Sequence, residues 1–144
     1  MPTVHDVLSE KGQKLFTTTP AATVLQAVNQ MNQHKCGAVV VMDGEGVAGI
    51  FTERDVLTRV IGDGRSPATT FVGEVMTRQV VCCDPHADLD EVSALMRNRR
   101  IRHVPVCEDG RLVGLISIGD INAFSASNQE AHIHFLSEYI YGRV

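Results

Sequence analysis

Apolar positions along this chain recur at two spacings, and the change from one to the other outlines its elements. Val24, Ala27, Val28 and Met31 fall at helical spacing behind Thr23, a residue able to cap a helix start, so a helix is predicted from Val24 to His34. Cys36 to Met42 is a short valine-rich run, the pattern of a strand buried on both faces. Asp43-Gly44-Glu45-Gly46 reads as a turn, Val47 to Phe51 as the paired strand, and Glu53 to Ile61 as a second helix. A short helical turn at Val4 to Leu8 and an extended lead-in at Thr17-Thr18-Thr19-Pro20 precede this set. The same order then returns. Val72 to Met76 is an opening turn, Gln79 to Cys83 is extended, and Asp88 caps a helix from Leu89 to Arg99 with Leu89, Val92, Leu95 and Met96 on one face. Strands at His103 to Cys107 and Leu112 to Ile116 flank the turn Glu108-Asp109-Gly110, and a helix starts at Ser117. From Asn128 to Tyr141, Ile133, Leu136 and Ile140 make an apolar stripe suited to cover a face of this chain or of a partner.

The recurrence is a duplication. An offset of 65 positions pairs Gly49 with Gly114, Asp55 with Asp120, Thr52 with Ser117, Pro20 with Pro85, Ala22 with Ala87 and Met31 with Met96. Upstream the offset becomes 68 and pairs Val4 with Val72 and Val7 with Val75, so the first copy carries three extra residues around Lys11 to Lys14, expected in a loop. The predicted organisation is residues 1–62 for the first copy, 63–71 for a Gly/Ser/Pro linker, 72–125 for the second copy and 126–144 for a C-terminal amphipathic helix. Each copy reads βαββα and is too small to bury its own sheet face. An α/β (α+β) fold is therefore expected, with two copies packed sheet to sheet about a pseudo-twofold axis and two related clefts.

Composition narrows the function classes. The net charge of -4 and an aromatic content of 5% argue against a nucleic-acid surface, although Arg97, Arg99, Arg100, Arg102 and His103 form one basic cluster that keeps an RNA- or DNA-binding module as the alternative. Apolar runs fall short of a membrane span, and the N-terminus lacks a basic lead or apolar signal core, so a soluble cytoplasmic protein without membrane association is expected. Cys36, Cys82, Cys83 and Cys107 lack zinc-type spacing and read as reduced thiols. Cys82-Cys83 admits a redox role or, more plainly, two small buried side chains. His132-x-His134 cannot chelate together on a helix and reads as surface histidines, and no metal site is expected. Nor is there a P-loop, a zinc set or a Ser-His-Asp arrangement, so neither catalytic residues nor enzymatic activity are expected.

The paired Gly-apolar-apolar-Thr/Ser-x-x-Asp segments, Gly49 to Asp55 and Gly114 to Asp120, with Arg102-His103-Val104-Pro105-Val106, resemble a tandem CBS domain, or Bateman module, from about Val4 to Phe124. With no catalytic domain attached, the chain is similar to the stand-alone bacterial and plant-organelle versions, which are thought to sense adenosine nucleotides and act on partner proteins. The resemblance implies an adenosine-containing ligand, AMP, ADP, ATP or NAD(H) ahead of S-adenosylmethionine, with no required cofactor. It also implies a homodimer and a regulated partner protein.

Taken as residues, Thr52-x-x-Asp55 and Ser117-x-x-Asp120 look like capping boxes. Taken singly each favours the cap; the same residues can also set an aspartate against ribose hydroxyls at a helix start that favours phosphate, and the two roles are compatible. By resemblance the aspartates hold ribose. Ile50 and Leu115, with Gly37-Ala38 and Arg102-His103-Val104, would flank the adenine, and Met76 and Thr77 join the ligand set. Gly37 alone reads as a place for close approach by a flat ligand or as a packing glycine. Arg102 and His103 are assigned to ligand phosphate. Arg54 could reach phosphate or pair with Glu53 or Asp55. Because copy one has Gly37 and Ala38 where copy two has Arg102 and His103, one tighter and one weaker site are expected.

Overall fold

The computed structural model describes residues 1–12, 15–44 and 46–128. The apolar stripe beyond Asn128, His132 and His134, and part of the expected insertion lie outside the described residues. Among the described residues five strands and six α-helices run in the order α1 (Val4–Lys11), β1 (Thr17–Thr18), α2 (Val24–His34), β2 (Ala38–Asp43), β3 (Gly46–Thr52), α3 (Glu53–Asp55), a π-helix (Val56–Ile61), α4 (Val72–Val75), α5 (Leu89–Arg99), β4 (His103–Glu108), β5 (Arg111–Ser117) and α6 (Ile118–Asn128). Among these residues no helix is long and apolar enough to cross a membrane.

The described residues fall into two compact units, and neither is one sequence copy. Of the described residues, one unit draws on 15–84 and 104–115, the other on 1–12, 85–103 and 116–128. In the first unit β1 pairs parallel with β2 (Thr17 opposite Val40), and β2 pairs antiparallel with β3 from Ala38 opposite Thr52 to Asp43 opposite Gly46. The valine run works as its pattern predicts: Ala38, Val39, Val40 and Val41 are all fully buried. Val39 and Val41 pack with Phe51, Val24, Ala27, Met31 and Val60 and with Val72, Val75 and Met76, which belong to the second copy in sequence.

That exchange is reciprocal and shows in the backbone. In the first unit Val72 N–H donates to Ala22 O at 2.8 Å and Gly73 N–H to Pro20 O at 3.0 Å. In the second unit the equivalent groups do the same: Val4 N–H donates to Ala87 O at 3.0 Å and His5 N–H to Pro85 O at 2.8 Å. Each copy's opening helix thus docks on the other copy's Pro-x-Ala segment, and α1 packs against α6.

Three local expectations need correction. The opening turn at Val4 is a two-turn helix running to Lys11, closed by Gly12 with φ 59, the left-handed cap conformation that glycine adopts without cost. Lys11 is therefore helical, not part of a loop. The helix after Thr52 keeps three α-helical residues and then widens into a π-helix. Gln79 to Cys83 makes no strand; only Cys83 forms an isolated parallel bridge, to Val106.

Candidate functional site

In the first unit, Thr52 ends β3 and caps the helix behind it. Its backbone N–H donates to Asp55 Oδ2 at 3.0 Å and its hydroxyl to the same oxygen at 3.2 Å, while Asp55 N–H returns a bond to Thr52 Oγ1 at 3.3 Å. Thr77 Oγ1 donates to Asp55 Oδ1 at 3.1 Å, and Arg59 Nε, one helical turn on, lies 3.8 Å from that oxygen. Asp55 is consequently only 4% exposed, and chain groups meet both of its oxygens. Arg59 also donates to Met76 O at 3.0 Å, and Ile50 exchanges two backbone bonds with Thr77, each 2.9 Å. Segment 76–77 is therefore fastened against β3. Gly49 permits this approach, since a Cβ there would lie 2.6 Å from Thr77 O and 2.8 Å from Met76 Sδ. Met76, Ile50 and Ala38 are buried, Gly37, Thr52 and Thr77 are half-buried, and Arg54 is exposed. The space above Gly37 holds the Glu53 carboxylate, 3.2 Å from where a Cβ would stand, and Glu53 N–H donates to Gly37 O at 3.0 Å.

In the second unit the same box is built from Ser117 and Asp120. Ser117 N–H donates to Asp120 Oδ2 at 2.9 Å, and Asp120 N–H donates to Ser117 Oγ at 3.0 Å. Lys11 Nζ, from the last turn of α1, reaches the same Oδ2 at 2.6 Å. The Asp120 side chain is 20% exposed against 6% for Asp55, and among the described residues no hydrogen bond is made to its Oδ1. Ile118 N–H donates to Arg102 O at 2.9 Å, the counterpart of the Glu53–Gly37 bond. The repeat therefore sets exposed Arg102 beside the first turn of α6 where copy one sets Glu53 over a glycine. Half-buried His103 belongs to this unit, whereas Val104 (fully buried) and Leu115 (half-buried) belong to the first.

The two aspartates thus sit in unlike surroundings. Asp55 is enclosed and saturated; Asp120 is partly open, with the Lys11 ammonium on it. Sequence reasoning missed Lys11 and Arg59. Arg59 was detectable, being four positions after Asp55 on a helix. Lys11 was detectable only by taking Gly12 as a helix stop. Among the described residues no cluster of His, Cys, Asp and Glu could hold a metal ion.

The CBS domain profile matches residues 4–62 and 72–127, in register with both boxes. The chain belongs to the CBS domain family. It is 37% identical over 150 residues to the mitochondrial CBS domain-containing protein CBSX3 of Arabidopsis thaliana, an alignment covering 97% of this chain and 72% of that protein. A CBS-domain protein from Burkholderia ambifaria superposes with a TM-score of 0.84 at 39% identity, covering 89% of this chain and 96% of the other. The CBS domain pair of protein MJ0100, solved with 5′-methylthioadenosine and S-adenosylmethionine, shares the fold alone: TM-score 0.79 at 23% identity, over 89% of this chain and 98% of the other. The mixed α+β architecture is thus that of a CBS domain pair.

Proposed function

We propose that this CBS pair is a regulatory module that binds an adenosine-containing nucleotide at the Ser117–Asp120 site and passes the change in packing to a partner protein. The observation carrying this reading is the state of Asp120, a partly exposed carboxylate at a helix start with one oxygen engaged by Ser117 and Lys11. A ribose needs an acceptor for its two hydroxyls, and a carboxylate offers several lone pairs. A phosphate needs cations, and Lys11 and exposed Arg102 supply them beside the positive end of α6. Copy one offers less: Asp55 is spent on Thr52, Thr77 and Arg59, and Glu53 would repel an anion there. The tighter site is therefore copy two, with Thr52–Asp55 the weaker. A homodimer fits the same reading, since Leu57 and Ile61 stand 64% and 63% exposed on the π-helix.

Titration calorimetry with AMP, ADP, ATP, NAD(H), S-adenosylmethionine and a short RNA tests the assignment. At least one adenosine compound binds, Asp120→Ala removes the tighter event, and Asp55→Ala leaves it. RNA binding without nucleotide binding would transfer the function to exposed Arg97, Arg99, Arg100 and Arg102. Loss of nucleotide affinity in Asp55→Ala but not in Asp120→Ala would reverse the order of the sites.

A further inference from the structure

Residues 77–83 cross the first unit as a strap fastened at both ends with no strand pairing between them. One end is the Ile50–Thr77 exchange of backbone bonds. The other joins β4: Cys83 N–H donates to Pro105 O at 3.0 Å and Cys107 N–H to Cys83 O at 2.9 Å. Residues 78–82 have no regular structure. Cys83 and Val106 form the bridge pair and so face one side of the ladder. Cys107, one residue after Val106 on β4, turns to the opposite side and its N–H is held by Cys83 O, so Cys82, one residue before Cys83, flanks the same bridge. The Cys82 thiol is exposed and neighbours that of half-buried Cys107. Two sequence-distant thiols thus flank one bridge, one of them open to solvent, at the β4 end of a segment that also positions Thr77 on Asp55.

We propose that Cys82 and Cys107 form a reversible redox pair that closes into an intrachain disulfide and tightens this strap. The oxidant is a small-molecule disulfide such as oxidised glutathione. The exposed Cys82 thiolate attacks it, forming a mixed disulfide and releasing one thiol. Cys107 then attacks the Cys82 sulfur, forming the Cys82–Cys107 bond and releasing the second thiol, so two protein thiols are oxidised as one disulfide is reduced. Burial, followed by the contact with Cys82, lifts the Cys107 thiol to about 11. Cys107 is accordingly slow toward reagents in solution and acts as the resolving partner, where proximity to the Cys82 sulfur offsets its low thiolate fraction. The two residues lie diagonally across the bridge, so closure draws the unpaired residues 78–82 toward β4. A disulfide formed at such a cost is easily reduced again, which is the behaviour of a switch and not of a structural staple.

The test is oxidation of the native protein with oxidised glutathione, quenching with N-ethylmaleimide and peptide mapping by mass spectrometry. Free thiols fall by two from the starting four, a Cys82–Cys107 cross-linked peptide appears, and dithiothreitol reverses both changes. Cys82→Ser and Cys107→Ser each abolish the cross-link, while Cys36→Ser and Cys83→Ser retain it. Persistence of glutathione on Cys82, a cross-link through Cys83, or four unreacted thiols would each overturn the pairing.

Discussion

Lys11 Nζ donates to Asp120 Oδ2 at 2.6 Å, tying the last turn of the first copy's opening helix to the first turn of the second copy's closing helix. Both side chains are 20% exposed, so the pair is neither a free surface contact nor a buried one. A double-mutant cycle with Lys11→Met and Asp120→Asn should give a coupling of about 1 kcal/mol in urea unfolding, shrinking as salt is raised. A coupling indistinguishable from zero at low salt would mean that the contact contributes nothing in solution.

The matching carboxylates should differ in what their loss does. Asp55→Ala removes the acceptor that meets Thr52 N–H, the Thr52 hydroxyl, Thr77 and Arg59 in a buried place, so the expected loss of stability is about 2–4 kcal/mol. Asp120→Ala removes the acceptor of Ser117 N–H and a partly exposed ion pair, and about 1–2 kcal/mol is expected. Thermal and urea unfolding of the two variants side by side decides the order.

Gly49→Ala should be costly although the new methyl is small. Its Cβ would stand 2.6 Å from a backbone carbonyl, Thr77 O, which cannot move without breaking the Ile50–Thr77 bonds. About 1–3 kcal/mol is expected from overpacking. Amide exchange at Ile50 and Thr77 should accelerate beyond the global change; uniform acceleration would show that the strap is not fastened there.

Burial above all, then the charges of Cys82, Cys107 and Asp84, raises the Cys83 thiol from 9.0 to about 11. The native state thus keeps a proton that the unfolded chain has lost over this interval. The contribution is complete below about pH 9 and disappears as the pH climbs toward 11. Urea midpoints should fall more steeply between about pH 9 and about pH 11 in the wild type than in Cys83→Ala. Equal slopes would place the alkaline sensitivity in another group.

Most of the architecture was legible because two signals agree in the sequence. The valine run from Val39 to Val41 can only be an interior strand, and Thr23 and Asp88 each cap the helix that follows. Duplication then doubles every inference. The boundaries that escaped were set by tertiary contact. The π-helix replaces a plain helix from Val56 onward, and no residue between Val56 and Ile61 announces it. Gln79 to Val81 has strand-like composition but finds no ladder to join. The candidate site was legible as a motif and not as an environment: Thr52-x-x-Asp55 and Ser117-x-x-Asp120 read alike, yet one aspartate is enclosed by Thr77 and Arg59 and the other is met by a lysine 109 positions away.

The reciprocal docking of Val4 on Ala87 and of Val72 on Ala22 means that neither half owns all of its parts. Severing the chain within residues 63–71 would yield fragments that each lack the helix completing their interior and carry one that belongs elsewhere. Such fragments should be insoluble singly and recover structure only when mixed. Inheritance obeys the same constraint: a mutation in either opening helix is felt by the opposite repeat, so the duplicated halves cannot drift apart as independent modules.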